Sequence, residues 1–177
     1  MAVLVEAISV IMRVEAVMEA FSGDFEAFVE FVPNNTLCVD NEIARVGFMT
    51  PDDVESFIHK LENRGMRYLQ DEKAIDIVVI DQLRGSAAAC DWVEFGKIPW
   101  DDNDHVVSAA RLVGSEQHTL MTPDGWEYEN SLSASYGFVP SEHHDKSLKF
   151  LRHEGNLDVY LNMLTGKEVY VGRTGSL

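Results

Sequence analysis

Residues 4–13 are rich in Val, Ile and Met, a density that predicts one buried strand. The period then lengthens. Val17, Phe21, Phe25, Phe28, Val29 and Val32 recur at helical spacing, which predicts helix from about 14 to 32, broken near Ser22-Gly23 and stopped by Pro33-Asn34-Asn35. Residues 36–40 and 43–49 read as two strands joined by a tight hairpin across Asn41-Glu42. Thr50-Pro51-Asp52-Asp53 opens the next helix: Thr50 caps, Pro51 suits the first helical position, and the two aspartates suit the positive end of the dipole. That helix puts Val54, Phe57, Ile58 and Leu61 on one face and ends at Gly65, a left-handed C-terminal position. Strands are expected at 66–69 and 75–81.

Beyond residue 82 the pattern is strand and turn. Residues 90–95 alternate, 106–113 and 148–151 read as strands, and 157–172 reads as a hairpin turning at Leu164-Thr165-Gly166-Lys167. Loops are expected at 99–104 and 137–146. The order strand–helix–strand–strand–helix–strand predicts an α+β protein with a ferredoxin-like (βαββαβ) N-terminal half, followed by a β-rich half with a terminal β-hairpin. No linker separates the halves, so residues 1–177 are taken as a single domain with 1–82 and 83–177 as its possible lobes.

Composition narrows the function. The 46% hydrophobic content of the 177 residues allows a real core, whereas 30 acidic against 14 basic residues gives a net charge of −16. A surface of that sign repels nucleic acid and anionic lipid, and attracts a basic protein or a cation. The apolar start is interrupted by Glu6, Arg13 and Glu15, and falls short of the roughly 20 residues of a membrane span. Cys38 and Cys90 lack a CxxC partner, so a reducing, cytoplasmic setting is expected.

No residue pattern announces catalysis. Gly166-Lys167 fails the phosphate-loop spacing, because Leu161 stands where its first glycine belongs. Asp101, Asp102, Asp104 and His105 supply hard ligands but miss the EF-hand register at Val106, and a solvated turn is the plainer reading. His143 and His144, with Asp145 and His153, are the best transition-metal candidates, although adjacent loop histidines rarely converge. Asp76, Asp81, Asp91 and Glu94 sit on or beside strands, where two carboxylates could pair as acid and base. Cys38 and Cys90 read as structural thiols, and Trp92, Trp100 and Trp126 as packing aromatics. No cofactor is expected.

The charge is uneven. Residues 1–65 carry −8, residues 66–104 carry −5 and residues 105–177 carry −3. Residues 14–44 contain no Lys or Arg, yet hold Glu15, Glu19, Asp24, Glu26, Glu30, Asp40 and Glu42. Glu15/Glu19 and Glu26/Glu30 lie four apart, so in a helix they are like-charged neighbours that cost a few tenths of a kcal/mol each. Glu15, Glu19, Asp24, Glu26 and Glu30 are therefore the expected partner-binding face for a basic protein.

The blocks GFMTPDDVESFIHKLENRGM, IDIVVIDQLRG with CDWVEFGKI, and YLNMLTGKEVYVGR together resemble bacterial proteins associated with immunity in polymorphic or contact-dependent toxin systems. The likeness spans most of the chain, but no block is a diagnostic motif. No catalytic residue carries over, since immunity proteins act by binding. The resemblance implies a small acidic cytosolic inhibitor that occludes a toxin domain, often a basic nuclease. The alternatives are a carboxylate- or metal-dependent enzyme and a ferredoxin-like ligand-sensing or oligomerisation module.

Overall fold

A computed structural model describes residues 1–100, 105–116, 119–136, 148–154, 157–162 and 168–172. Strand β1 (Ala2–Val5) leads into β2 (Ile8–Arg13), then come α1 (Val14–Ala20), α2 (Phe25–Phe31), β3 (Cys38–Val39), β4 (Ile43–Phe48) and α3 (Pro51–Glu62). The chain continues through β5 (Leu69–Gln70), β6 (Lys73–Ala74), β7 (Ile77–Asp81), β8 (Gly85–Ser86), β9 (Val93–Trp100), β10 (His105–Leu112) and β11 (Leu120–Met121). A 3₁₀ turn (Tyr128–Asn130) precedes the short α4 (Leu132–Ser135), and β12 (Leu148–Glu154), β13 (Leu157–Asn162) and β14 (Glu168–Gly172) follow. The protein is mixed α+β.

The central sheet has the order β3-β4-β2-β7-β8, with every pair antiparallel. It is buried on both faces, because successive side chains of a strand point to opposite sides. Ile8, Val10 and Met12 of β2, with Ala44, Val46 and Phe48 of β4 and Ile77 and Val79 of β7, pack under α1–α3. Ile11, Ile43, Val78 and Ile80 face the other way, onto a second sheet of order β11-β1-β10-β9. The layers are thus helix, sheet, sheet. Strand β1 lies hydrogen-bonded between β10 and β11, so segments from both sides of residue 82 share one sheet. The β12-β13-β14 meander forms a third sheet.

The single strand expected over residues 4–13 is two strands. Between them Ala7 takes φ +47°, and the chain bends from one sheet into the next. Gln82 holds that bend from both sides, its Oε1 accepting from Ala7 N at 2.5 Å and its N–H donating to Ala7 O at 2.9 Å. The helical stretch breaks where expected, with Ser22 and Gly23 both at positive φ. The hairpin of β3 and β4 also forms, with Asp40 Oδ1 accepting from Glu42 N and Ile43 N.

Thr50 caps α3 by accepting from Asp53 N at 3.2 Å, and Gly65 ends that segment at φ +95°. The strand expected at 66–69 does not form as such: residues 66–68 lie in no strand, and β5 and β6 form a small hairpin whose turn residues, Asp71 and Glu72, both have positive φ. Strand β9 runs on through Pro99 and Trp100, two residues of the loop expected at 99–104. The pairing of β13 with β14 matches the expected terminal hairpin, while its turn falls outside the described residues.

Candidate functional site

Helices α1 and α2 have an inside made of aromatic rings. Phe21 and Phe28 are buried and meet edge-on at 5.3 Å; Phe31 contacts Phe21 at 5.2 Å and Phe57 of α3 at 6.0 Å. This packing turns the remaining positions outwards, and Glu15, Glu19, Asp24, Glu26 and Glu30 are all exposed. Asp24 has a second task, as its Oδ1 caps α2 by accepting from Ala27 N at 3.0 Å. Neither helix has a basic residue in its last turn, where the dipole would favour one. Val29, between Glu26 and Glu30 on the outer side of α2, leaves 47% of its surface exposed.

Tertiary structure alters the charge of this face in two ways. The first base after the acidic stretch, Arg45, is fully buried, so the next exposed Lys or Arg along the chain after Arg13 is Lys60. Against that, the fold brings Arg64 over the rings of Phe21 and Phe31 at 4.3 and 4.9 Å. Arg67, bonded to Asp76 through Nε and Nη2, also feels the charge of Glu19. Hence Arg67 partly neutralises the face at Glu19, whereas no salt bridge reaches Glu26 or Glu30 among the described residues.

A second acidic surface lies beside α3. An open groove of about 810 Å³ separates α3, which contributes exposed Glu55 and Glu62 and the edge of buried Ile58, from extended chain at Tyr68, Leu69 and Ala88. Asp52 and His59 also line it, and none of the described residues that line it is Lys or Arg. Burial, and then the charge of Glu62, push the Tyr68 hydroxyl above its ordinary pKa, so a neutral phenol stands beside that carboxylate.

The candidate acid–base groups are occupied elsewhere. Asp81 accepts from Tyr136 Oη at 2.8 Å and caps the turn at Leu83 and Arg84. Asp91 lies 3.7 Å from Lys73, Glu94 pairs with Arg111 at 2.8 Å, and Asp76 holds Arg67. Neither the α3 groove nor a smaller one of about 340 Å³ beside β9 contains more than one of Asp81, Asp91 and Glu94. His143, His144 and Asp145 lie outside the described residues, as do Asp101, Asp102 and Asp104. His153 lies in β12. Among the described residues no three His, Cys, Asp or Glu side chains come together as metal ligands. Both cysteines are free, and Trp92 is buried beneath Arg13, whose guanidinium lies 4.5 Å from the ring centre.

One cluster had no signal in the sequence pattern. Glu6, 1% exposed, accepts through Oε1 from Trp126 Nε1, Ser133 N and Ser133 Oγ at 2.9–3.0 Å, and meets Arg45 Nη2 through Oε2 at 3.4 Å. Arg45 also donates to Ser9 Oγ and Thr36 O. Gly47 makes room for it, since a Cβ there would stand 2.7 Å from Arg45 Nη2. This network is a buried joint between sheets and α4, with its polar atoms spent on one another. No described helix is long and apolar enough to cross a membrane. Compared with known proteins, the chain matches no family model, no curated protein and no solved structure.

Proposed function

We propose that this is a non-enzymatic acidic binding protein of the immunity type, which docks a basic protein partner such as a toxin nuclease domain. The observation that carries the reading is the outer side of α2, where Glu26 and Glu30 stand exposed beside the exposed apolar side chain of Val29, with no salt bridge to either among the described residues. An apolar contact ringed by charge suits a protein interface: the side chain excludes water on docking, while the carboxylates steer and orient a cationic partner. The like-charged pair is unfavourable for the isolated helix, which argues that something other than stability selects it. The likeness of the sequence blocks to immunity proteins supports the same reading. On this reading the protein works in the cytoplasm, without a cofactor, and avoids nucleic acid and membranes.

The ferredoxin-like reading of residues 1–82 belongs with this proposal. Its support is the strand order β3-β4-β2-β7, in which α1–α2 carry the chain past β4 and α3 carries it past β2. Strand β1 precedes that unit, and β8 extends its edge.

The test is association with the basic C-terminal domain of a toxin encoded beside this protein, measured by stopped flow at several salt concentrations. Association is expected to slow steeply with salt. Glu26→Lys/Glu30→Lys is expected to slow it by about tenfold or more at low ionic strength, with circular dichroism unchanged. Salt-independent binding, or an unaltered on-rate in the variant, would overturn the proposal.

A further inference from the structure

We infer that the groove beside α3 is an anchor site for a segment of the basic partner, one carrying an apolar side chain next to Lys or Arg. The inference rests on the proposal that the partner is a basic protein. The groove's volume of about 810 Å³ falls in the range of about 300–1,000 Å³ typical of ligand sites. Its inner surface is mainly apolar, from Ile58, Tyr68, Leu69 and Ala88, and Leu69 leaves 48% of its surface uncovered. A partner's aliphatic group therefore removes apolar surface from water on both sides of the contact.

The charge of the groove selects what accompanies that group. Glu55 and Glu62, seven positions apart and so two turns along one face of α3, are exposed and have no salt bridge among the described residues. His59 lies between them on the same side, and no Lys or Arg lines the groove among the described residues. Lysine and arginine match this pairing within a single side chain, laying a methylene stem on apolar surface while the charged head meets a carboxylate. A purely apolar segment would leave two carboxylates desolvated without partners, and an acidic one would be repelled.

The experiment uses the ¹⁵N-labelled full chain and a capped hexapeptide, Gly-Leu-Lys-Leu-Arg-Gly. Saturable shifts are expected in the amide signals of Leu69, Ala88 and the outer turns of α3. Glu55→Lys/Glu62→Lys and Leu69→Ser, all at exposed positions, are each expected to weaken binding at least tenfold. Glu26→Lys/Glu30→Lys should change it by less than twofold. A peptide with both Leu replaced by Ser should lose at least tenfold, and spermine should fail to displace the parent peptide.

The inference is overturned by the absence of saturable shifts or by shifts centred elsewhere. It is equally overturned by equal effects of both charge reversals, by equal binding of the Ser peptide, or by displacement at equimolar spermine, which would mark a polyamine site. Failure here leaves the α2 docking proposal standing if Glu26→Lys/Glu30→Lys still slows association with the toxin domain. An unchanged on-rate alongside groove-specific peptide binding would instead remove the docking face and keep the groove.

Discussion

Glu6 carries its charge into a site only 1% exposed, where an unpaired carboxylate would cost several kcal/mol. Three donors satisfy one of its oxygens and Arg45 faces the other, so the two residues stand or fall together. Glu6→Gln keeps an oxygen for Trp126 and Ser133 but strands the Arg45 charge. It is expected to lower stability by about 3–5 kcal/mol in urea unfolding, whereas adding Arg45→Met should recover part of that loss rather than deepen it. A double variant as costly as the sum of its parts would show that the pairing matters little. The sequence did not reveal this joint, because the partners lie 39 to 127 positions apart.

Beside Arg45, Cys38 is buried, and desolvation raises its thiol pKa, outweighing the opposing pull of the guanidinium. A raised folded-state value means that the native protein holds this proton more tightly. Its contribution to stability is full below the unfolded value of about 8.5 and is lost as pH rises through the higher folded value. Cys38 should therefore resist a thiol reagent at pH 8 until the chain unfolds, while half-buried Cys90 reacts in the native state. Equal labelling rates would contradict this.

At the scale of elements, local chemistry was readable wherever the cause lay within a few residues. The Thr50 cap, the Pro51 start, the break at Ser22-Gly23 and the Gly65 end each follow from side chains acting on their own neighbourhood. Asp24 also acts on its own neighbourhood, although its capping role was not read from the sequence. Asp24→Ala should destabilise by about 1 kcal/mol in thermal unfolding by removing the bond to Ala27 N, and Asp24→Ser should restore most of it. No restoration by Ser would mean that the charge, not the cap, was lost.

The elements that escaped the pattern have distant or unusual causes. Ala7 bends at positive φ because Gln82, 75 residues away, holds its peptide groups. The turn of β5 and β6 uses Asp71 and Glu72 at positive φ, where glycine or asparagine would have signalled a hairpin. Pro99 sits in β9, whose only paired neighbour among the described residues is β10, and an edge strand tolerates a missing donor.

For the whole molecule the question is where the charge of −16 faces. The helix layer presents acidic side chains from α1, α2 and α3, but Arg67 offsets Glu19 of α1, while Arg64 lies over Phe21 and Phe31 between the two helices. Docking should therefore depend more on Glu26 and Glu30 than on Glu15 and Glu19. Reversing the α2 pair to Lys should slow partner association more than reversing the α1 pair, when the two are compared at one ionic strength. A larger effect from the α1 pair would place the docking surface elsewhere.

The sequence by itself determined the α+β character, the capped start of α3, the hairpin of β3 and β4, and the excess of acid in residues 14–44. These properties depend on composition and on contacts within a turn or two of chain. Only the tertiary structure decided that Arg45 is hidden, that Arg64 and Arg67 return beside the acidic helices, and that α3 faces extended chain across a groove. Charge reaches through space, and exposure is fixed by packing between distant segments, so neither can be read along the chain.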